Sequence, residues 1–195
     1  MTNPNTRRNW RWLVAMALFS LSACSNHTEL TSAASSVPFK TLDGQKFSLN
    51  ELPGSKLVNF WSTSCHICLK EMPDLVALHE DYESRGFTVI AVAMPGDRPD
   101  LVLEVSQQRN LPFPVALDLD GQVISAFKTA NGKTIKGIKG TPTTFLINAN
   151  GDLLGRYVGK IKFDVLREKL DKLLSVSHIR NNSNPTRLAV AAAST

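Results

Sequence analysis

Two cysteines separated by two residues, Cys65 and Cys68, are the most reactive pair of side chains in this 195-residue chain. They follow a short apolar run, residues 56–61, and precede a stretch typical of a helix, so they fall where a strand turns into a helix. A first cysteine placed there faces unpaired N–H groups and the positive end of the helix dipole, which favours its thiolate near neutral pH. The second, one turn later, can resolve a mixed disulfide by intramolecular attack. The spacing predicts reversible thiol–disulfide exchange.

Other uses of a Cys-x-x-Cys pair compete with this interpretation. A structural disulfide of this spacing closes a very small loop and contributes little stability. A structural zinc site needs four ligands, and the sequence has no second cysteine pair. Haem attachment fails, because Leu69 stands where the histidine is required. His66, between the cysteines, either stabilises a thiolate when protonated or is an inert exposed side chain.

The first 24 residues have the pattern of an export signal. Three arginines within residues 7–11 precede an apolar run, residues 12–23, of about a dozen residues. A bilayer span needs roughly 20 apolar residues, whereas a signal-peptide core needs 7 to 15. The run ends in Leu21-Ser22-Ala23-Cys24, which resembles the bacterial lipobox. We therefore predict a signal peptide over 1–24 and a lipid anchor on Cys24, and Ser25 after it favours the outer over the inner membrane.

The charge of the chain gives no indication of a nucleic-acid-binding protein. The formal net charge is +5, but three of the 22 basic residues lie in the first 24, leaving 19 basic against 17 acidic residues. A nucleic-acid partner is not implied.

Residues 25–36, rich in Ser, Thr and Ala, predict a flexible tether, and residues 176–195 predict a disordered tail. The folded domain is predicted over 37–175.

Within that domain, strands and helices alternate. The pattern predicts an N-terminal hairpin around Asp43-Gly44, a buried strand over 56–61 and a helix over about 65–84 that contains Pro73. It then predicts strands at 87–93, 114–117, 143–147 and 153–158, with helices near 100–110, 121–127 and 163–174. The expected fold class is α/β, a mixed sheet covered by helices on both faces.

The segment from Phe60 to Pro73, FWSTSCHICLKEMP, resembles the active-site segment of the TlpA/ResA branch of thioredoxin-fold proteins, typically F-W-x-x-W-C-x-x-C-x-x-E-x-P. About 70 residues later, the segment from Gly140 to Ile147 resembles the cis-proline segment of that family. Ser64 departs from the usual aromatic residue before the first cysteine. The resemblance extends over about 37–174 and implies a thioredoxin-like fold.

The resemblance also implies roles for individual residues. Cys65 would be the attacking thiol and Cys68 the resolving thiol, while Glu71 would be a general base for the buried thiol or else a solvated helix charge. Substrate contacts would fall to three further residues, Trp61, Thr141 and Pro142, with Pro142 in the cis form. Asn59 stands where thioredoxins themselves carry a buried aspartate.

The function predicted is that of a periplasmic, membrane-tethered thiol–disulfide oxidoreductase without a cofactor, acting as a monomer on protein thiols or disulfides. An apocytochrome c or another redox protein would fit as partner. A first alternative is a peroxiredoxin-like thiol peroxidase: Ser62 matches the residue that class needs, but Val58 stands in place of its proline. A second is a copper-delivery protein of the Sco type, whose Cys-x-x-x-Cys spacing differs from that found here.

Overall fold

The computed structural model describes residues 28–29, 32–127, 138 and 140–182. The strands are β1 (Thr28–Glu29), β2 (Phe39–Thr41), β3 (Lys46–Phe47), β4 (Ser55–Trp61), β5 (Phe87–Ala93), β6 (Val115–Leu117), β7 (Thr143–Ile147) and β8 (Asp152–Val158). The helices are α1 (Ser32–Ser36), α2 (His66–Tyr82), α3 (Pro99–Gln108), α4 (Gln122–Ala126) and α5 (Phe163–Asn182), with a 3-10 turn at Glu83–Arg85. The predicted order of strands and helices is confirmed.

The strands form one mixed sheet in the order β1-β8-β7-β4-β5-β6-β2-β3. β4 lies near its middle, parallel to β5 and antiparallel to β7. Every residue of β4 is buried, as its apolar run predicts for a strand covered on both faces. The C-terminal end of β4 therefore places the start of α2 at the centre of the sheet edge.

Helices cover both faces of the sheet. On one face, leucines of α2 and α5 join Leu57 of β4 in a core cluster. On the other face, Phe60 packs edge-on against the rings of Phe127 and Phe145. The alternation of side chains along β4 sends successive residues into the two layers. The predicted fold class, an α/β sheet covered on both faces, is confirmed.

Both ends of the domain extend beyond the predicted limits of 37 and 175. β1 pairs antiparallel with β8, and α1 buries Ala34 completely, so part of the predicted tether over 25–36 is structured. Edge strands carry unpaired backbone groups that a passing segment can pair, and alanine favours a helix. α5 continues to Asn182, so the tail predicted as disordered from 176 is helical over 176–182.

Two predicted features lie outside the described residues: the signal peptide with Cys24, and the tail beyond 182. Among the helices within the described residues, none is long and apolar enough to cross a membrane.

Candidate active site

The start of α2 carries both cysteines of the predicted pair. Cys65 caps the helix in an extended backbone conformation, and the Cys68 N–H donates a hydrogen bond to the Cys65 Sγ at 3.2 Å. The two sulfurs form a disulfide, with the Cα atoms 5.2 Å apart. Cys65 is half-buried, whereas Cys68 is only 1% exposed. The cysteine predicted to attack is thus the accessible one, and the cysteine predicted to resolve is enclosed.

The segment predicted to hold the cis-proline lies at the end of β4 that leads to the disulfide. The Thr141–Pro142 peptide bond is cis, and β7 begins at the next residue. Because Thr143 is the register partner of Phe60 in β4, the antiparallel register sets Pro142 beside Trp61, at the end of β4 that leads to α2. The Gly159 N–H donates to the Pro142 carbonyl at 2.9 Å. Pro142 is buried, and Thr141 is half-buried.

Glu71 lies one helical turn after Cys68 and is 1% exposed. Its Oε1 accepts a hydrogen bond from the Ile161 backbone N–H at 2.6 Å, and its Oε2 is buried without a hydrogen-bond partner among the described residues. Burial raises the pKa of the Glu71 carboxyl, and the Ile161 N–H and the charge of Lys160 oppose that rise. Glu71 is therefore not the solvated helix charge of the alternative prediction.

Two residues of β4 that the sequence singled out, Asn59 and Trp61, lie in the interior. Asn59 is buried, and its Nδ2 donates to the Thr144 Oγ1 at 2.8 Å, so this amide is engaged across the β4–β7 pair. Trp61 is completely buried in the core cluster that also contains Cys68, and its Nε1 has no hydrogen-bond partner among the described residues. The predicted role of Trp61 in binding substrate stays a prediction, since the side chain does not face solvent here.

The solvent side of the disulfide has a different character. His66 and Ile67, between the cysteines, are both exposed, Ile67 by 47%. The segment before Cys65, residues 62–64, consists of three hydroxyl side chains and is held by Asp97 from the loop after β5. Asp97 is not among the site residues that the sequence predicts. Asp97 contacts residues 62 and 63, and the Ile161 N–H contacts Glu71, through the tertiary fold alone, so no local sequence signal links either group to the site.

A disulfide at the N-terminus of the helix that follows β4, together with a cis-proline directly before the antiparallel neighbour of β4, defines a thiol–disulfide oxidoreductase of the thioredoxin fold. Residues 30–155 match the model of the AhpC/TSA family. The thiol-disulfide oxidoreductase ResA of Bacillus thuringiensis subsp. konkukian is 32% identical over 134 residues, 68% of this chain and 71% of that protein. ResA of Bacillus subtilis is 28% identical over 130 residues, 66% of this chain and 67% of that protein.

Solved structures agree with the sequence relatives. A thiol:disulfide interchange protein of the thioredoxin family from Chlorobium tepidum superposes with a TM-score of 0.66 at 31% identity, covering 78% of this chain and 99% of that one. The chain belongs to the AhpC/TSA family, and within it to the ResA-like thiol–disulfide oxidoreductases. It exchanges electrons with protein thiols or disulfides through cysteines.

The geometry around the cysteines does not favour the two alternatives. A thiol peroxidase would need the Ser62 hydroxyl for its reactive cysteine, but this hydroxyl contacts Ser64 and Asp97. Copper delivery would need further ligands near the pair. Among the described residues, no group of three or more His, Cys, Asp or Glu side chains could hold a metal ion.

Proposed function

We propose that Cys65 is the attacking thiol, Cys68 the resolving thiol and Glu71 the proton acceptor of an exported, lipid-anchored oxidoreductase. In the reductive direction, the Cys65 thiolate attacks a client disulfide, and one client sulfur leaves as a thiolate. Cys68 then attacks the Cys65 sulfur of the mixed disulfide and expels the second client sulfur. Two electrons pass to the client, and the protein becomes the disulfide. The reverse sequence oxidises a client dithiol.

The second step needs a proton acceptor, because the buried Cys68 thiol must lose its proton before it attacks. Burial among apolar groups raises the pKa of a thiol and slows this step. The observation that carries the proposal is the Glu71 carboxylate, one turn from Cys68: one oxygen is held by the Ile161 N–H, and the other has no hydrogen-bond partner in the part of the chain that the structure describes. The raised pKa of Glu71 brings it closer to that of a thiol, which suits proton transfer between the two.

The test is the pH profile of the resolution step in Glu71→Gln. The amide keeps the shape and an acceptor for the Ile161 N–H but cannot take a proton. We expect resolution about 100-fold slower near pH 6, with a deficit that shrinks as the pH approaches the pKa of the thiol itself. The Cys65 alkylation rate should stay within about twofold of wild type.

Glu80→Gln is the matched control, because Glu80 is an exposed carboxylate on the same helix. It should follow the wild-type profile at every pH. If Glu71→Gln also parallels wild type throughout, Glu71 takes no part in the proton transfer.

The location of the protein is proposed from the N-terminal sequence. The lipobox-like Leu21-Ser22-Ala23-Cys24 supports cleavage before Cys24 and lipidation of it, and two or more acyl chains anchor a protein stably. Ser25 supports the outer membrane. An oxidising compartment would allow the Cys65–Cys68 pair to cycle. We propose that the protein acts as a monomer. Its proposed partner is an apocytochrome c or another redox protein.

Cell fractionation tests the anchor. The wild type should sediment with membranes, and Cys24→Ala should move to the soluble exported fraction with its redox activity intact. A soluble wild type would refute lipidation without touching the roles of Cys65 and Cys68.

A further inference from the structure

Asp97 makes a dense set of hydrogen bonds at the entrance to α2. Its carboxylate accepts from the Ser62 Oγ at 3.0 Å, from the Thr63 Oγ1 at 2.8 Å and from the Thr63 backbone N–H at 3.1 Å. The Ser64 hydroxyl contacts the Ser62 hydroxyl at 2.9 Å. All three residues between β4 and Cys65 are thus joined, directly or through one hydroxyl, to a single side chain that lies 33 to 35 residues away in sequence.

The residue directly before Cys65 is Ser64, a short side chain that is exposed. A short serine cannot hold the segment by packing, so its conformation depends on hydrogen bonds. The Thr63 N–H, the hydroxyls of residues 62–63 and the bond from the Cys65 N–H to the Ser62 carbonyl at 3.0 Å form one connected turn. Asp97 is the member of this turn that comes from outside the segment.

The charge of Asp97 is not neutralised by its neighbour in the chain. Arg98 directs its guanidinium to Asp100 instead. On α2, the charged or titratable side chains nearest to Cys65 in sequence are the exposed His66 and Lys70, with Glu71 on the buried side. The Asp97 carboxylate is therefore bound to Thr63, two residues before the half-buried Cys65. Its negative charge acts against the thiolate that the helix N-terminus favours.

We propose that Asp97 is a positioning residue for Cys65, which holds the segment leading into α2 and sets a negative charge beside the attacking thiol. The proposal rests on the assignment of Cys65 as that thiol. A helix N-terminus favours the thiolate, and a nearby carboxylate disfavours it. The thiolate fraction of Cys65 then results from both, and the Asp97 loop tunes how strongly the reduced protein is stabilised.

The test is the pH dependence of Cys65 alkylation in a Cys68→Ser background, with and without Asp97→Asn. The amide keeps the size of the side chain and removes its charge. We expect the pKa of Cys65 to fall by about half a unit, which is roughly a threefold larger thiolate fraction below that pKa. With both cysteines present, Asp97→Asn should shift the equilibrium with glutathione about threefold toward the dithiol form.

Glu104→Gln is the control, because it removes the charge of an exposed carboxylate of α3, which accepts a hydrogen bond from the Gln108 side chain. It should leave the pKa of Cys65 and the glutathione equilibrium unchanged. An Asp97→Asn protein that melts at a lower temperature but keeps the wild-type Cys65 pKa would overturn the proposal and reduce Asp97 to a structural contact.

A second variant applies if Asp97→Asn does not fold. The double substitution Ser62→Ala, Thr63→Val removes two hydroxyl groups that donate hydrogen bonds to Asp97 and leaves its carboxylate in place. With fewer donors around this charge, the pKa of Cys65 should rise, which is the opposite direction to Asp97→Asn. An unchanged pKa there also overturns the proposal. A Cys68→Ser protein that is not alkylated at all refutes a reactive Cys65 instead, so the two failures are distinguishable.

Discussion

The two sides of the Cys65–Cys68 disulfide are built on different physical principles. On the solvent side, the Asp97 carboxylate is half-buried and accepts several hydrogen bonds from residues 62–63. On the inner side, Glu71 is 1% exposed, with one oxygen held by a backbone N–H and the other unpartnered among the described residues. Each side thus contains a carboxylate, and the one on the solvent side accepts more hydrogen bonds than the one on the inner side.

Because their surroundings differ, the Asp97 and Glu71 carboxylates are suited to different tasks. A carboxylate that is well supplied with donors keeps its charge and holds structure around it. A buried carboxylate with an unpartnered oxygen is destabilised in its charged form and is ready to take a proton. The outer side therefore suits positioning and charge, and the inner side suits proton transfer to and from Cys68.

The largest expected effect separates the two sulfurs. Cys68→Ser should leave the accessible Cys65 able to attack but unable to resolve, so mixed disulfides with clients accumulate and turnover is lost. Cys65→Ser should trap nothing, because the remaining Cys68 sulfur is 1% exposed. Non-reducing electrophoresis after exposure to clients measures both. Equal trapping by the two variants would remove the distinction between an outer and an inner sulfur.

An intermediate effect concerns the stability of the inner side. The pKa of Glu71 is raised in the folded state, so its favourable contribution is complete below the unfolded-state pKa of about 4.5 and is lost as pH rises through the folded pKa. From acid to neutral pH, the free energy of unfolding of the wild type should fall relative to that of Glu71→Gln. Chemical denaturation at several pH values measures it.

In that experiment Glu80→Gln is again the control, and it should show no such trend. A wild type whose stability rises with pH relative to Glu71→Gln would mean that the folded state favours the charged form of Glu71, and the contrast between the two sides would disappear.

The smallest effect is expected on the outer side, at Ser64. This side chain is exposed and contacts the Ser62 hydroxyl, while the bonds to Asp97 come from residues 62 and 63. Ser64→Ala should therefore change the free energy of unfolding by less than about 0.5 kcal/mol and leave the pKa of Cys65 in place. Thermal unfolding and the alkylation profile check this. If Ser64→Ala shifts the pKa of Cys65 as much as Asp97→Asn does, the hydroxyl groups of residues 62–64, and not Asp97, position the segment before Cys65.

Local patterns determined much of this protein. The apolar run of β4, the Cys-x-x-Cys spacing after it and the amphipathic α5 predicted the α/β fold and the redox pair, because periodicity and helix starts depend on neighbouring residues. Local patterns misjudged both ends of the domain. The pairing of β1 with β8 and the continuation of α5 to Asn182 depend on what the rest of the fold offers to weakly patterned segments.

By itself, the sequence determined which residues could carry the chemistry: Cys65, Cys68, Glu71 and Pro142 were all identified from motifs. Only the tertiary structure decided their environments. It buried Glu71 against the Ile161 N–H, 90 residues away, and brought Asp97 to Thr63, 34 residues away. Burial and hydrogen bonding set how readily a carboxyl or thiol group holds a proton, and both arise from contacts between segments that are distant in the chain.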